Sequence, residues 1–445
     1  MRSSRLTRSI ALLLGSAHLA LAHAQSTKPN GPITLDEAIH RAEANEPTFA
    51  TAAAESESAA LDRKNARAAM LPSATYHNQY LFTQSNRTQA ATTQGGLNQS
   101  LPTFIANNAV HEYYSQASIT ETVGLAQVGA LRLADANAAR AQAELEIARR
   151  GLVQTVVTLY YGSGAADQKA LVAQRALDEA DHFLDITTKR EAAREAAHAD
   201  VIKARLGVQQ RTRELEDAKL QVSTSRLELG VLLFADPLTT FELAPTSDPA
   251  VLPDRVGVEA AAKKNSPEIR SALADVEAGQ AETLNARAAL LPELTLNYSY
   301  GIDAPQLAKT GPDGARNLGY SAGATLDIPL WDWLTSERKV KQAHLRSQAA
   351  AVTLTAAQRR LLADLAEFYD EADVARQQLA SLDASVVDAR ESLRLADLRY
   401  VNGEGSVLEV VDAQNTVITA EDAQADGIVR YQTAVAQLET LTGRL

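Results

Sequence analysis

The sequence predicts an α+β membrane protein in which barrel-type β-strands, four per chain, run into very long coiled-coil helices, with the whole arranged as an internal two-fold repeat. Three observations carry this reading. The stretch N-A-R-A-A-M-L-P at Asn65 to Pro72 returns as N-A-R-A-A-L-L-P at Asn285 to Pro292, 220 residues later. Apolar residues follow a heptad rhythm over some 70 residues without glycine or proline. Short segments of strict alternation precede each such region.

The chain begins with Arg2, Arg5 and Arg8, an apolar run from Ile10 to Leu21 and the small-x-small site Ala22-His23-Ala24. These are the three regions of a secretory signal peptide. The apolar run is shorter than the ~20 residues a membrane-spanning helix needs. With no cysteine in 445 residues, neither disulfides nor an acylated N-terminal cysteine contribute, and stability must come from packing and assembly. A formal charge of −12, more negative still without the signal arginines, argues against nucleic acid as a partner. Aromatics at 5% in a chain rich in Ala, Leu, Gln, Glu and Arg point to long helices in place of a compact core.

The repeat divides the chain into a signal peptide (1–24), a first unit (25–233), a linker (234–254) that carries Pro237, Pro245, Pro249 and Pro253, and a second unit (255–445). In the first unit a short helix opened by the capping box Thr34-Leu-Asp-Glu37 leads to strands at 73–82 and 117–125 and a helical hairpin over 127–233. In the second, strands at 293–302 and 318–328 lead to a hairpin over 330–442. Its seam reads Leu361, Leu365, Phe368, Ala372, Ala375, Leu379, Leu382, Val386, Ala389, Leu393, Ala396 and Tyr400, on a helix of roughly 105 Å. Asn402-Gly-Glu-Gly405 stops that helix, and Ser406-Val-Leu-Glu409 caps the returning one. Downstream of the strands the repeat offset falls to 209, so Arg194, Ala196 and Ala197 stand where the second tip has Gly403, Gly405 and Ser406.

In the strands of the second unit, Thr295, Asn297, Ser299, Ser321 and Thr325 alternate with apolar residues and are expected to line a wet lumen. Tyr298, Tyr300 and Tyr320 lie on the opposite, lipid-facing side as an aromatic girdle. Trp331 and Trp333 are interface anchors or pack where strands give way to helix. The loops from Thr83 to Glu112 and from Asp303 to Asn317 are polar and should lie outside the membrane. Four strands cannot close a barrel and lipid does not tolerate open edges, so several copies must combine. Two copies would leave no open lumen, whereas three would supply twelve strands around a water-filled pore.

Gly319-Tyr-Ser-Ala-Gly323 matches the G-x-S-x-G nucleophile elbow, but it falls inside an alternating strand, where Ser321 is a small lumen-facing residue. The histidines show no metal-ligand spacing and no phosphate-binding loop appears, so neither catalysis nor a metal or other cofactor is expected. The alternative to a channel is a periplasmic coiled-coil scaffold without a pore, its alternating segments merely hairpins packed on helices.

The two-fold repeat, the strand pairs followed by long helices, the hairpin R-Y-V-N-G-E-G-S-V-L-E-V-V-D-A-Q from Arg399 to Gln414 and the run D-I-P-L-W-D-W from Asp327 to Trp333 resemble the TolC family of outer-membrane efflux channels. The resemblance implies a homotrimer with a twelve-stranded barrel in outer-membrane lipid and an α-helical tunnel across the periplasm. Such a trimer is the passive exit duct of a tripartite efflux or type I secretion system, working with a periplasmic adaptor and an inner-membrane pump. It further implies that acidic residues ring the periplasmic aperture, at Glu409 and Asp412 here, with Asp200 and Lys203 as first-unit counterparts, and that adaptors grip the tip at Gly403, Gly405 and Ser406. Without the resemblance, Glu409 is explained by its capping box and Asp412 is a solvated carboxylate at a helix N-terminus.

Overall fold

The computed structural model describes residues 31–82, 111–245, 251–312, 314 and 316–443. The signal peptide and most of the loop expected after Thr83 lie outside the described residues. Twelve elements follow in order: α1 (Leu35–Asn45), α2 (Pro47–Ala68), β1 (Ser73–Phe82), β2 (His111–Val123), α3 (Leu125–Ala192), α4 (His198–Leu233), α5 (Arg255–Asn265), α6 (Pro267–Ala288), β3 (Glu293–Ala304), β4 (Leu318–Asp327), α7 (Thr335–Val401) and α8 (Val407–Thr442). The last six repeat the order of the first six. Their helices match in length at 11 and 11, 22 and 22, 68 and 67, and 36 and 36 residues.

Where a single short helix was expected to open each half, two stand in line. Glu46 and Ser266 are extended (ψ 117 and 118) because the prolines that follow exclude the helical region for the preceding residue. Pro47 and Pro267 then start the second helix, where a missing N–H costs nothing.

The four strands form one antiparallel sheet in the order β1-β2-β3-β4, leaving β1 and β4 as open edges. β1 has the expected span, but β2 begins six residues before the expected 117 and ends at Val123. Leu125, expected in the strand, is the first residue of α3. The pairings Tyr80↔Tyr113 and Tyr114↔Asp303 on its two sides extend β2 backwards, a cross-strand effect that no local pattern reports. β3 continues to Ala304, into the stretch expected to be loop.

α7 starts at Thr335, five residues after the expected start. The polypeptide first turns through Trp333 (φ 57) and Leu334 (φ 62), and the Asp332 carboxylate accepts from the Ser336 N–H at 2.7 Å. From there α7 runs unbroken for 67 residues, about 100 Å. Its expected seam is the buried one: Leu361, Leu365, Ala372, Ala375, Val386, Ala389, Leu393 and Tyr400 are all buried. α3 is likewise continuous through Gly162 and Gly164.

The core is strung along the molecule as separate clusters. One surrounds Val153, Val156, Val157, Leu229 and Leu233, and another, near the hairpin tips, gathers Phe183, Leu393, Tyr400, Val407 and Val410. The segment expected to be a plain linker belongs to the first. Phe234 and Phe241 are buried there, Ile33 exchanges backbone bonds with this segment (Ile33 N–H to Glu242 O, Ala244 N–H to Ile33 O, both 2.8 Å), and the Tyr160 hydroxyl donates to Ile33 O. Its prolines stop helix formation but not burial.

Candidate functional site

Register sorts the sheet into two chemically distinct faces. Thr295 pairs with Thr325, Asn297 with Gly323 and Ser299 with Ser321, so the polar residues share one side, and the Ser299 and Ser321 hydroxyls meet at 2.7 Å. β2 extends this row with Thr122, Thr120 and Ser118 opposite Thr295, Asn297 and Ser299. These members lie inside the expected strand 117–125, but sequence reading did not single them out because Glu121 breaks the alternation on the other face. Gly301 permits the close approach of β2 and β3: a Cβ there would lie 2.2 Å from Ser115 O.

The other face carries Tyr298, Tyr300 and Tyr320, with Tyr300 opposite Tyr320 and the rings of Tyr298 and Tyr320 stacked at 6.1 Å. Leu296, Ile119 and Leu326 continue it, all exposed in the single chain. Trp331 and Trp333 stand at the sheet's lower margin with rings edge-to-face at 5.8 Å and are 70% and 77% exposed. The G-x-S-x-G stretch lies within β4, so no turn lifts Ser321 into an elbow.

At the far end of the long helices the two hairpin tips are built alike. Glu404 N–H bonds to Arg399 O and Glu195 N–H to Arg190 O, each at 2.8 Å. Gly403 takes φ 79, and Arg194, at the equivalent position, is held at φ 62 in spite of its side chain. Ser406 caps α8 by accepting from Glu409 N–H at 3.3 Å, whereas Ala197 offers α4 no side-chain cap. The Glu409 carboxylate is engaged by Arg399 at 3.1 Å. Asp412 is exposed one turn along α8. Asp200 is half-buried in the first turn of α4, and Lys203 is exposed beyond it.

Sequence reading did not find the contacts that join the two hairpins. The Arg190 guanidinium lies over the Tyr400 ring at 4.9 Å and donates to Tyr400 O. The Tyr400 hydroxyl donates to Thr187 at 3.1 Å, and Phe183 packs on the same ring. Further from the tip, the buried Glu421 of α8 accepts from Arg175 of α3 and Arg390 of α7. These groups border a cleft of about 490 Å³ in which burial raises the pKa of Glu179, with Asp397 and Glu421 adding to the effect, and also raises that of Asp397. The only hint of this cluster in the sequence is the presence of charges beside a helical seam.

Residues 260–444 match the model of the outer membrane efflux protein family. The second half of the chain is thus similar to proteins of that family. The chain is 28% identical to the pyoverdine export outer membrane protein OpmQ of Pseudomonas aeruginosa over 66% of this chain and 61% of that protein. To outer membrane protein OprJ of the same organism it is 26% identical over 69% and 63%. The match therefore spans about three fifths of the length of these curated relatives. Its fold is that of the outer-membrane channel OprN, with a TM-score of 0.76 at 20% identity over 92% of this chain and 89% of that one. Both relatives are outer membrane proteins by name, and the matched fold is that of an outer-membrane channel.

Proposed function

We propose that this protein is the outer-membrane channel of a tripartite efflux or type I secretion system: a homotrimer, not an enzyme, that forms a passive exit duct served by a periplasmic adaptor and an inner-membrane pump. The observation that carries the reading is a pair of bare faces in the single chain. α6 is wedged between α3 and α7, with Ala274, Ala281 and Ala288 buried and Asn285 so close to Gly129 that a Cβ on the glycine would strike it. Its counterpart α2, 220 residues earlier, buries nothing: Ala54, Leu61 and Ala68 stand exposed. On the other partner, Gly129, Ala136 and Ala143 of α3 are buried, whereas the residues 209 further on in α7, Arg338, Leu345 and Val352, are exposed.

A second copy that sets its α7 against α2 fills both faces with the contact already made inside the chain. Such a contact joins unlike surfaces, so it propagates until a ring closes. The same step pairs the open edge of β4 with the open edge of β1, which lipid requires. Three copies bring twelve strands, with the hydroxyl and amide face around the lumen and the tyrosine face toward lipid. We read the matched element order as a gene-internal duplication that makes these two kinds of junction equivalent. The division into a signal peptide, two repeats and a connecting strap belongs to the same proposal, as do the roles of Asp412, Glu409, Asp200 and Lys203 at the aperture and of Gly403, Gly405 and Ser406 in adaptor contact.

Fractionation and unheated gel electrophoresis test the proposal. A detergent-resistant trimer from outer membranes that gives stable conductance in planar bilayers is expected. A freely soluble periplasmic monomer would remove the channel and favour the scaffold.

A further inference from the structure

The two halves correspond residue for residue, α1 with α5 at an offset of 220 and the hairpin α3–α4 with α7–α8 at 209. In the second half the last residue of α5 is bonded twice. Asn265 Nδ2 donates to Thr442 O at the end of α8 at 2.9 Å, and Asn265 O accepts from Arg150 Nη2 of α3 at 3.2 Å. Arg150 is buried and is also held by Glu146, one turn back, at 2.8 Å. The first half repeats the former bond: Asn45, the last residue of α1, donates through Nδ2 to Leu233 O at the end of α4 at 2.8 Å. It does not repeat the latter. Asn45 O accepts no bond among the described residues, and α1 has no basic residue in its last turn, where α5 has Lys263 and Lys264. At the position of Arg150 stands Arg359 of α7, with Thr355 in the place of Glu146. Arg359 is exposed and its side chain has no partner among the described residues.

Arg359 and Asn45 O are thus the counterparts of a bonded pair, and both are left open in the single chain. Within that chain they have different neighbours: α1 packs on α2, α3 and α4, whereas α7 packs on α5, α6 and α8. In the proposed ring α7 of one copy lies against α2 of the next as α3 lies against α6, which carries Arg359 to the end of the neighbour's α1, about 35 Å along α7 from its start. A guanidinium suits that place. The last carbonyls of a helix have no partner within it and form the negative end of its dipole, so they draw a cationic donor. We infer that Arg359 docks on the carbonyl end of α1 in the next copy, completing between copies the bond that Arg150 makes inside the chain. This rests on the proposed ring and adds to it the side chain by which one copy grips the next.

Cross-linking and the heat stability of the assembled protein test the inference. Ala44 and Thr355 are exposed residues beside the two groups, and cysteines there leave Arg359 and Asn45 in place. A short bis-maleimide applied to the protein in outer membranes should join 44 of one chain to 355 of another, giving a ladder of linked chains on denaturing gels. Arg359→Gln should lower the temperature at which the unheated-gel trimer dissociates by several degrees, and Arg359→Glu, which sets a carboxylate against the carbonyl end, should lower it further. Arg359→Lys should recover part of the loss. Arg360→Gln should leave it unchanged, because Arg360 is an exposed residue already paired with Asp364 at 2.7 Å. Should the glutamate variant fail to accumulate, the glutamine variant carries the comparison. Trimers that form without a 44/355 ladder, or that dissociate at the parental temperature in both the Gln and the Glu variants, would overturn the docking while leaving the ring. An unaltered protein that gives no trimer would refute the ring, and the docking with it.

Discussion

Arg190 and Tyr400, on the two longest helices and 210 residues apart, are joined twice near the hairpin tips: the guanidinium stacks on the phenol ring at 4.9 Å and also donates to the Tyr400 carbonyl. A cation held over a ring contributes on the order of 0.5–2 kcal/mol, depending on how dry it is. The Tyr400 hydroxyl adds a bond to Thr187, which is fully buried. Arg190→Ala combined with Tyr400→Phe should loosen the tip, raising single-channel conductance at rest and lowering the midpoint of thermal unfolding by a few degrees. A variant that conducts and melts like the parent would show that these bonds do not hold the entrance.

The two tips impose the same backbone on different residues, which gives opposite expectations. Gly403→Val places a β-branched residue at φ 79, at a cost on the order of 1–2 kcal/mol, and should impair export while leaving trimers in the membrane. Arg194→Gly relieves a residue held at φ 62 and should stabilise the first hairpin by about 1 kcal/mol. Calorimetry on both variants checks the pair of signs.

The faces of the sheet predict chemical access. Cysteines at Asn297 and Thr325, on the hydroxyl face, should react with a water-soluble thiol reagent in intact outer membranes, and cysteines at Leu296 and Leu326 should not. Equal labelling of both sets is the result that would dismantle the barrel.

At the proposed aperture, Asp412 is exposed, whereas Glu409 is already paired with Arg399. Asp412→Ala should therefore weaken block by multivalent cations more than Glu409→Ala does, because a carboxylate beside a guanidinium attracts a passing cation less. Dose–response curves for block in planar bilayers distinguish the two.

Acidity should act on the cleft beside Glu421. Burial raises the pKa of Glu179 and Asp397 above their unfolded values, so the folded state holds protons that the unfolded state has lost. The stability these groups contribute is present below the ordinary carboxylate range and is lost as pH rises through their raised values. Melting temperature should thus rise on mild acidification from neutral pH, and Glu179→Gln should flatten that rise. An identical pH profile in the variant would show that Glu179 does not couple to folding.

What the sequence by itself determined is what depends on neighbours in the chain. The seam of α7, from Leu361 to Tyr400, follows from a period matched to the helical turn, and the tip turn follows from glycine at a left-handed position. The polar and tyrosine faces of β3 and β4 follow from alternation, because successive side chains point to opposite sides of a strand.

Only the tertiary structure decided what depends on the meeting of distant segments. It carried β2 back to His111 through pairing on both sides, and it buried Phe234 and Phe241 in a segment whose prolines read as a loose linker. It also assembled Arg175, Arg390 and Glu421 from three helices. Their sequence separations of 246 and 31 residues leave no periodic trace, since an ion pair needs only one correct distance in space while a helix or strand must repeat its pattern along the chain.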